Sequence, residues 1–150
     1  MKLACVVIGC LPMFGQTSRM SSVTKARGEN VTLDVVAESQ PDRAPVGLKW
    51  EVVFPAQMME MEGDGPEIGS AAKDSGKSVQ CIARTPYRLV CSLSGGQKPI
   101  ANGPMAIFHF RVRSAAPLGT ANLRIEKTEC TSVDSRKSTL NDTEATVIIK

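Results

Sequence analysis

Histidine, the usual carrier of protons near neutral pH, occurs once, at position 109. A Ser-His or Cys-His nucleophile pair or a multi-histidine metal site therefore has almost nothing to build on. His109 falls between Phe108 and Phe110 on the polar side of an alternating run, the place of a surface residue rather than of a ligand or base. Neither a Gly-x-Ser-x-Gly elbow nor a phosphate-binding glycine loop is present. Glu60, Glu62, Asp64 and Glu67 lie in a glycine-rich stretch and offer the hard oxygens that calcium takes, but not at calcium-loop spacing. As a glycosidase pair the same acids would need a rigid cleft, which a loop does not provide. Met58, Met59 and Met61 are soft donors for copper, and equally the adaptable side chains that fill the end of a core. The expectation is a protein that is not an enzyme and carries no cofactor, with calcium at the acidic loop as the one candidate ion.

The chain that must position these residues has 150 residues, 42% hydrophobic and 22% charged, enough for one domain with a real core. Its net charge of +3 is spread along the sequence without a basic run, which argues against nucleic acid as a partner. Lys2 followed by the apolar run Leu3 to Ile8 and then small residues has the layout of a secretory signal, with cleavage after Gln16. That run is too short to span a bilayer, and no transmembrane segment is expected once the leader is removed. Val7-Ile8-Gly9-Cys10 also fits a lipobox, which would acylate Cys10; the remaining alternative is an intact, structural N-terminus. The division expected is a signal peptide over 1–16, a flexible segment over 17–28 and a domain over 29–150, exported to the extracellular space or a bacterial cell envelope.

From Val31 onward the dominant period is two. It runs through Val31 to Val35, Val46 to Phe54, Ala106 to Val112, Ala121 to Ile125 and Ala145 to Ile149, with turn-forming Gly and Pro clusters between. Many short half-buried strands and no βαβ unit predict an all-β fold, a two-sheet antiparallel sandwich, with a small closed barrel as the minority architecture. One short helical turn is expected within Pro55 to Glu62. A three-residue Thr85-Pro86-Tyr87 loop would join Ser78–Arg84 to Arg88–Ser94 and set Cys81 opposite Cys91. An oxidising compartment would bridge that pair; the alternative is two buried thiols. With Cys5 and Cys10 lost in the leader, Cys130 is left over.

What remains is binding. Lys49, Glu51, Val53, Ile107, His109, Arg111 and Arg113 are the outward positions of two long strands, suited to a wet face or to a protein-binding sheet. Trp50 alternates with Leu48 and Phe54 and belongs to the core, leaving Tyr87 as the one ring expected outside, which weakens direct sugar binding by a stacking platform.

The order of several segments resembles cohesin domains, the β-sandwich modules of cellulosome scaffoldins, and their non-cellulosomal relatives. The segments are Gly28 to Val35; Val46 to Pro55 followed by Met58 to Met61; Asn102 to Val112; and the link Ser114-Ala115-Ala116-Pro117-Leu118-Gly119-Thr120. The resemblance covers about residues 22–150. It implies a jelly-roll sandwich related to carbohydrate-binding modules, secretion, no catalysis, and recognition of a dockerin-like protein through one sheet face. Where the family commonly has Tyr-Asp-Pro, this chain has Val53-Phe54-Pro55, so an acid often found there is missing. The expected function is thus a secreted binding module for a protein partner or a polysaccharide, with a link to polysaccharide degradation. Its face would carry Lys49, Glu51, Val53, His109, Arg111 and Arg113. The alternatives are a structural or assembly subunit of the cell envelope that works by strand pairing, and a hydrolase using the acidic loop.

Overall fold

In a β-strand, successive side chains point to opposite sides, so a period-two run buries one row and wets the other only if a second sheet covers the apolar side. Two sheets do this here. The computed structural model describes residues 3–8, 21–38 and 44–150. Its strands in order are β1 (Leu3–Ile8), β2 (Ser21–Lys25), β3 (Asn30–Glu38), β4 (Gly47–Val53), β5 (Met59–Met61) and β6 (Glu67–Ile68). After the short helix α1 (Ser70–Asp74) come β7 (Ser78–Thr85), β8 (Arg88–Ser94), β9 (Gly103–Val112), β10 (Gly119–Thr131), β11 (Lys137–Thr139) and β12 (Thr143–Ile149). One sheet runs β1-β3-β9-β5 with β6 also on β9; the other runs β2-β12-β10-β4-β8-β7 with β11 on β10. Pairing is antiparallel except for β1 with β3 and β12 with β2. The architecture is the two-sheet sandwich that the alternation predicts, rather than a closed barrel.

The core between the sheets holds Leu33, Val35, Trp50, Val52, Phe108, Phe110, Leu123, Ile125 and Val147. Trp50 is 1% exposed. Phe54 and Phe110 meet with ring centroids 5.2 Å apart and tilted by 59°, inside the range in which aromatic pairs attract. Met58 and Met59 are buried in the same cluster and Met61 packs against it, so these thioethers fill the end of the core.

The helical turn expected after β4 is present as a single turn, with Met58 and Met59 N–H both donating to the Pro55 carbonyl, and the chain then re-enters a strand. Other local expectations shift. A short helix lies at Ser70–Asp74, too short to show a helical period. Gly69 precedes it because the backbone there runs against β9: an added Cβ would sit 2.2 Å from the Pro104 carbonyl oxygen. Residues 21–25, expected in a flexible lead, pair along their whole length with β12. Their apolar content is Val23 alone, and a strand held by backbone pairing at a sheet edge leaves little trace in the side-chain pattern. Leu3–Ile8, in the stretch expected as a leader, lies alongside Leu33–Glu38. The expected cleavage site after Gln16, the acylation site Cys10 and the loop at Pro41 to Arg43 lie outside the described residues.

The hairpin keeps the expected register, with Val79 opposite Leu93, Cys81 opposite Cys91 and Ala83 opposite Leu89. Its loop is Pro86-Tyr87, one residue shorter than expected, because a bulge between Ala83 and Thr85 takes up the difference. Cys81 and Cys91 form a disulfide, with Cα atoms 4.1 Å apart. Cys130, buried on β10, is disulfide-bonded as well, so it is not a leftover thiol. Closing so short a loop constrains the unfolded chain by about 2–3 kcal/mol. The Cys81→Ser/Cys91→Ser variant should therefore lower the unfolding free energy by about that amount. Urea melts with and without reductant check it; a variant as stable as the oxidised protein would show that the bridge adds nothing.

Candidate functional site

The outward rows of the second sheet follow from its register. Ile82, Val90, Glu51 and Glu126 are successive cross-strand neighbours on β7, β8, β4 and β10. Gln80, Ser92, Lys49 and Glu129 form the next row, and Arg88, Val53, Arg124 and Glu144 the row on the other side. A bulge between Glu126 and Glu129, with Lys127 at φ 50°, keeps both glutamates outward while Thr128 and Cys130 turn into the core.

Glu51 and Glu126 face each other directly, two like charges that would repel. Arg88 reaches across from β8 and donates to both, to Glu126 at 3.2 Å and to Glu51 more closely. Lys127 adds an ion pair to Glu51 at 3.4 Å, and Arg124 one to Glu126 at 3.2 Å. Desolvation pulls the Arg88 guanidinium down, but the hydrogen bonds and charges of Glu51 and Glu126 outweigh it and hold the group above its ordinary value. The centre of the face is thus a charge network in which two carboxylates are shared by three cations. Beside it stand two apolar positions: Ile82, 69% exposed, and its partner Val90. Tyr87, 48% exposed, caps the end of the same hairpin.

The other sheet uses its outward charges internally. His109 Nε2 lies 3.1 Å from Glu67, and Arg113 pairs with Glu60 at 3.0 Å while its Nε donates to the Ala56 carbonyl at 2.6 Å. Arg111 Nε donates to the Gly28 carbonyl at 3.3 Å. These contacts tie β5, β6 and the β2–β3 turn to β9. They also separate the acids of the loop from one another, and among the described residues no three His, Cys, Asp or Glu side chains converge to hold a metal ion.

No protein-family model matches the sequence, and no curated protein does. Solved structures match it over its whole length. The sixth cohesin of scaffoldin B from Acetivibrio cellulolyticus, solved with a Cel5 dockerin mutant, superposes with a TM-score of 0.74 at 14% identity, covering 99% of this chain and 98% of its own. The cohesin of the Coh-OlpA-Doc918 complex from Clostridium thermocellum gives 0.74 at 12% identity, with coverage of 99% and 98%. A non-cellulosomal cohesin from the hyperthermophilic archaeon Archaeoglobus fulgidus gives 0.68 at 12% identity, with coverage of 100% and 92%. The chain has the cohesin fold.

On this cohesin fold the residues expected to share one binding face do not. Lys49, Glu51 and Val53 lie on β4 in one sheet, whereas His109, Arg111 and Arg113 lie on or just beyond β9 in the other, with the core between. Alternation tells which side of a strand is wet; it does not tell which sheet the strand joins. Val53 points outward as expected but is only 8% exposed, because the flanking side chains of its row cover it. Ile82, Val90, Arg88 and Glu126 share the outer face of Lys49 and Glu51 but are not among the residues expected there. The signal for Ile82 and Val90 was present, since each alternates with a cysteine of the facing pair, Cys81 and Cys91. The Arg88→Met variant should leave Glu51 and Glu126 opposed with only Lys127 and Arg124 at the edges of the pair, and so melt at a lower temperature. Adding Glu126→Gln removes the repulsion, so the double variant should recover part of the deficit. Melting curves of the single and double variants check this; a deficit unchanged by Glu126→Gln would mean that Arg88 acts through packing alone.

Proposed function

We propose that the domain is a non-catalytic, exported docking module that binds a dockerin-like protein through the outer face of β7, β8, β4 and β10. The observation that carries this reading is the placement of Ile82 and Val90 beside the ion-paired Arg88–Glu51–Glu126 cluster on one continuous surface. Exposed apolar side chains beside ordered arginines are the usual make-up of a protein-binding centre. The fold is shared with cohesins solved in complex with dockerins. The Cys81–Cys91 bridge supports an oxidising compartment, in keeping with export. A place in polysaccharide degradation belongs to the same reading, through the partner rather than through chemistry of this chain.

Strand pairing in an envelope assembly is a second reading, supported by β7 standing at the end of its sheet. The oligomeric state of the purified protein separates the two. For docking, purified dockerin modules titrated onto the immobilised protein should give saturable binding. Ile82→Asp and Val90→Asp should each weaken it by about tenfold or more, with melting curves showing that each variant is folded. If no dockerin binds, the dockerin form of the proposal fails; if one binds equally well to both variants, the face is elsewhere.

A further inference from the structure

The outer face of the second sheet is not level. At the end where β4 runs out and β8 begins, the Arg88–Val53–Arg124–Glu144 row dips into a concavity of about 500 Å³. Val53 and Phe54 lie among its lining residues, with Pro55 and Ala56 of the following turn. Its polar lining includes Gln57, Tyr87, Thr120, Asn122 and Glu144. The volume lies within the roughly 300–1,000 Å³ typical of small-molecule sites.

We propose that this concavity binds a sugar residue of a neutral oligosaccharide, stacked on Tyr87 and hydrogen-bonded by Gln57, Asn122 and Glu144. Three properties of the site point to that chemistry. The first is the ring. A sugar presents an apolar C–H face and a hydroxyl rim, and Tyr87 presents an apolar ring, 48% exposed, with a polar tip. The second is the kind of polar group. Amides both donate and accept, a carboxylate accepts twice, and adjacent ring hydroxyls satisfy both patterns at once.

The third is charge. Arg88 is shared by Glu51 and Glu126, and Arg124 pairs with Glu126. A phosphate, sulfate or acidic sugar would compete with carboxylates already paired to these arginines, and Glu144 would repel it. A neutral ligand faces neither cost. The site is also pre-formed: the Phe54 N–H donates to the Tyr87 carbonyl at 3.0 Å, locking the hairpin end to the end of β4, and the disulfide pins the same hairpin at Cys81. A single ring makes one subsite rather than a platform, so the low aromatic content that argues against a broad sugar-stacking surface does not argue against this one.

The inference does not rest on the docking proposal, and its test uses different ligands and different substitutions. Cellohexaose, xylohexaose and mannohexaose are titrated into the full chain by calorimetry, with hexagalacturonate as the anionic counterpart. At least one neutral hexamer should bind with a dissociation constant of about 1 mM or tighter, and hexagalacturonate more weakly than that one. Tyr87→Ala should weaken binding about tenfold or more, Asn122→Ala should weaken it measurably, and Tyr87→Phe should retain most of it. Ile82→Asp, which is directed at the docking row, should leave sugar binding unchanged. Circular dichroism melts confirm that each variant is folded. Failure of all three neutral hexamers to bind, undiminished binding by folded Tyr87→Ala, or stronger binding of hexagalacturonate would each overturn the proposal.

Discussion

Everything in this molecule depends on keeping one apolar layer between two sheets dry. Trp50, Phe54, Phe108 and Phe110 occupy that layer together with the aliphatic side chains of β3, β10 and β12. Each contributes through burial of large apolar area, about 25 cal/mol per Å², and through ring contacts that need a fixed geometry. Because a strand offers its neighbours alternate side chains, filling this layer fixes at the same time which side chains stand outside. The make-up of the outer face is therefore a by-product of core packing: a residue slip in β4 or β8 would bury Glu51 and Arg88 and expose Trp50 and Cys91.

That surface has a second constraint of its own. Register alone puts Glu51 against Glu126, a pairing that is unfavourable by itself. Arg88 resolves it from the neighbouring strand, and Lys127 and Arg124 close the network at its edges. The effect is a face whose charges are mutually engaged, with the apolar pair Ile82 and Val90 on one side and the Val53 concavity on the other. Both proposals draw on this arrangement in different ways. Docking uses the apolar pair next to an ordered arginine, while sugar binding uses a ring and hydrogen-bonding groups in a pocket whose arginines are already paired with carboxylates.

Much of the fold was legible in the sequence. The alternating runs from Val31, Val46, Ala106, Ala121 and Ala145 all became strands, and Trp50 lies inside as its neighbours Leu48 and Phe54 require. The Cys81–Cys91 register followed from a local count, since a hairpin pairs residues only a few positions apart. Less legible were β2, with one apolar side chain and a partner over a hundred residues away, and α1, which is shorter than the period needed to recognise it. The site was half legible: Lys49 and Glu51 stand on the outer face of the second sheet, while His109, Arg111 and Arg113 stand on the opposite side of the molecule and are tied to Glu67, Gly28 and Glu60.

The sequence by itself determined the inside and outside of the long alternating strands, the hairpin register and the class of fold, because all three are carried by side-chain alternation and by short-range pairing. Only the tertiary structure decided which strands share a sheet. That choice depends on backbone hydrogen bonds between segments far apart in the chain, which are made by identical peptide groups and so leave no mark on residue type. It is this choice that set Ile82, Val90, Glu51 and Glu126 in one row and built the concavity over Val53.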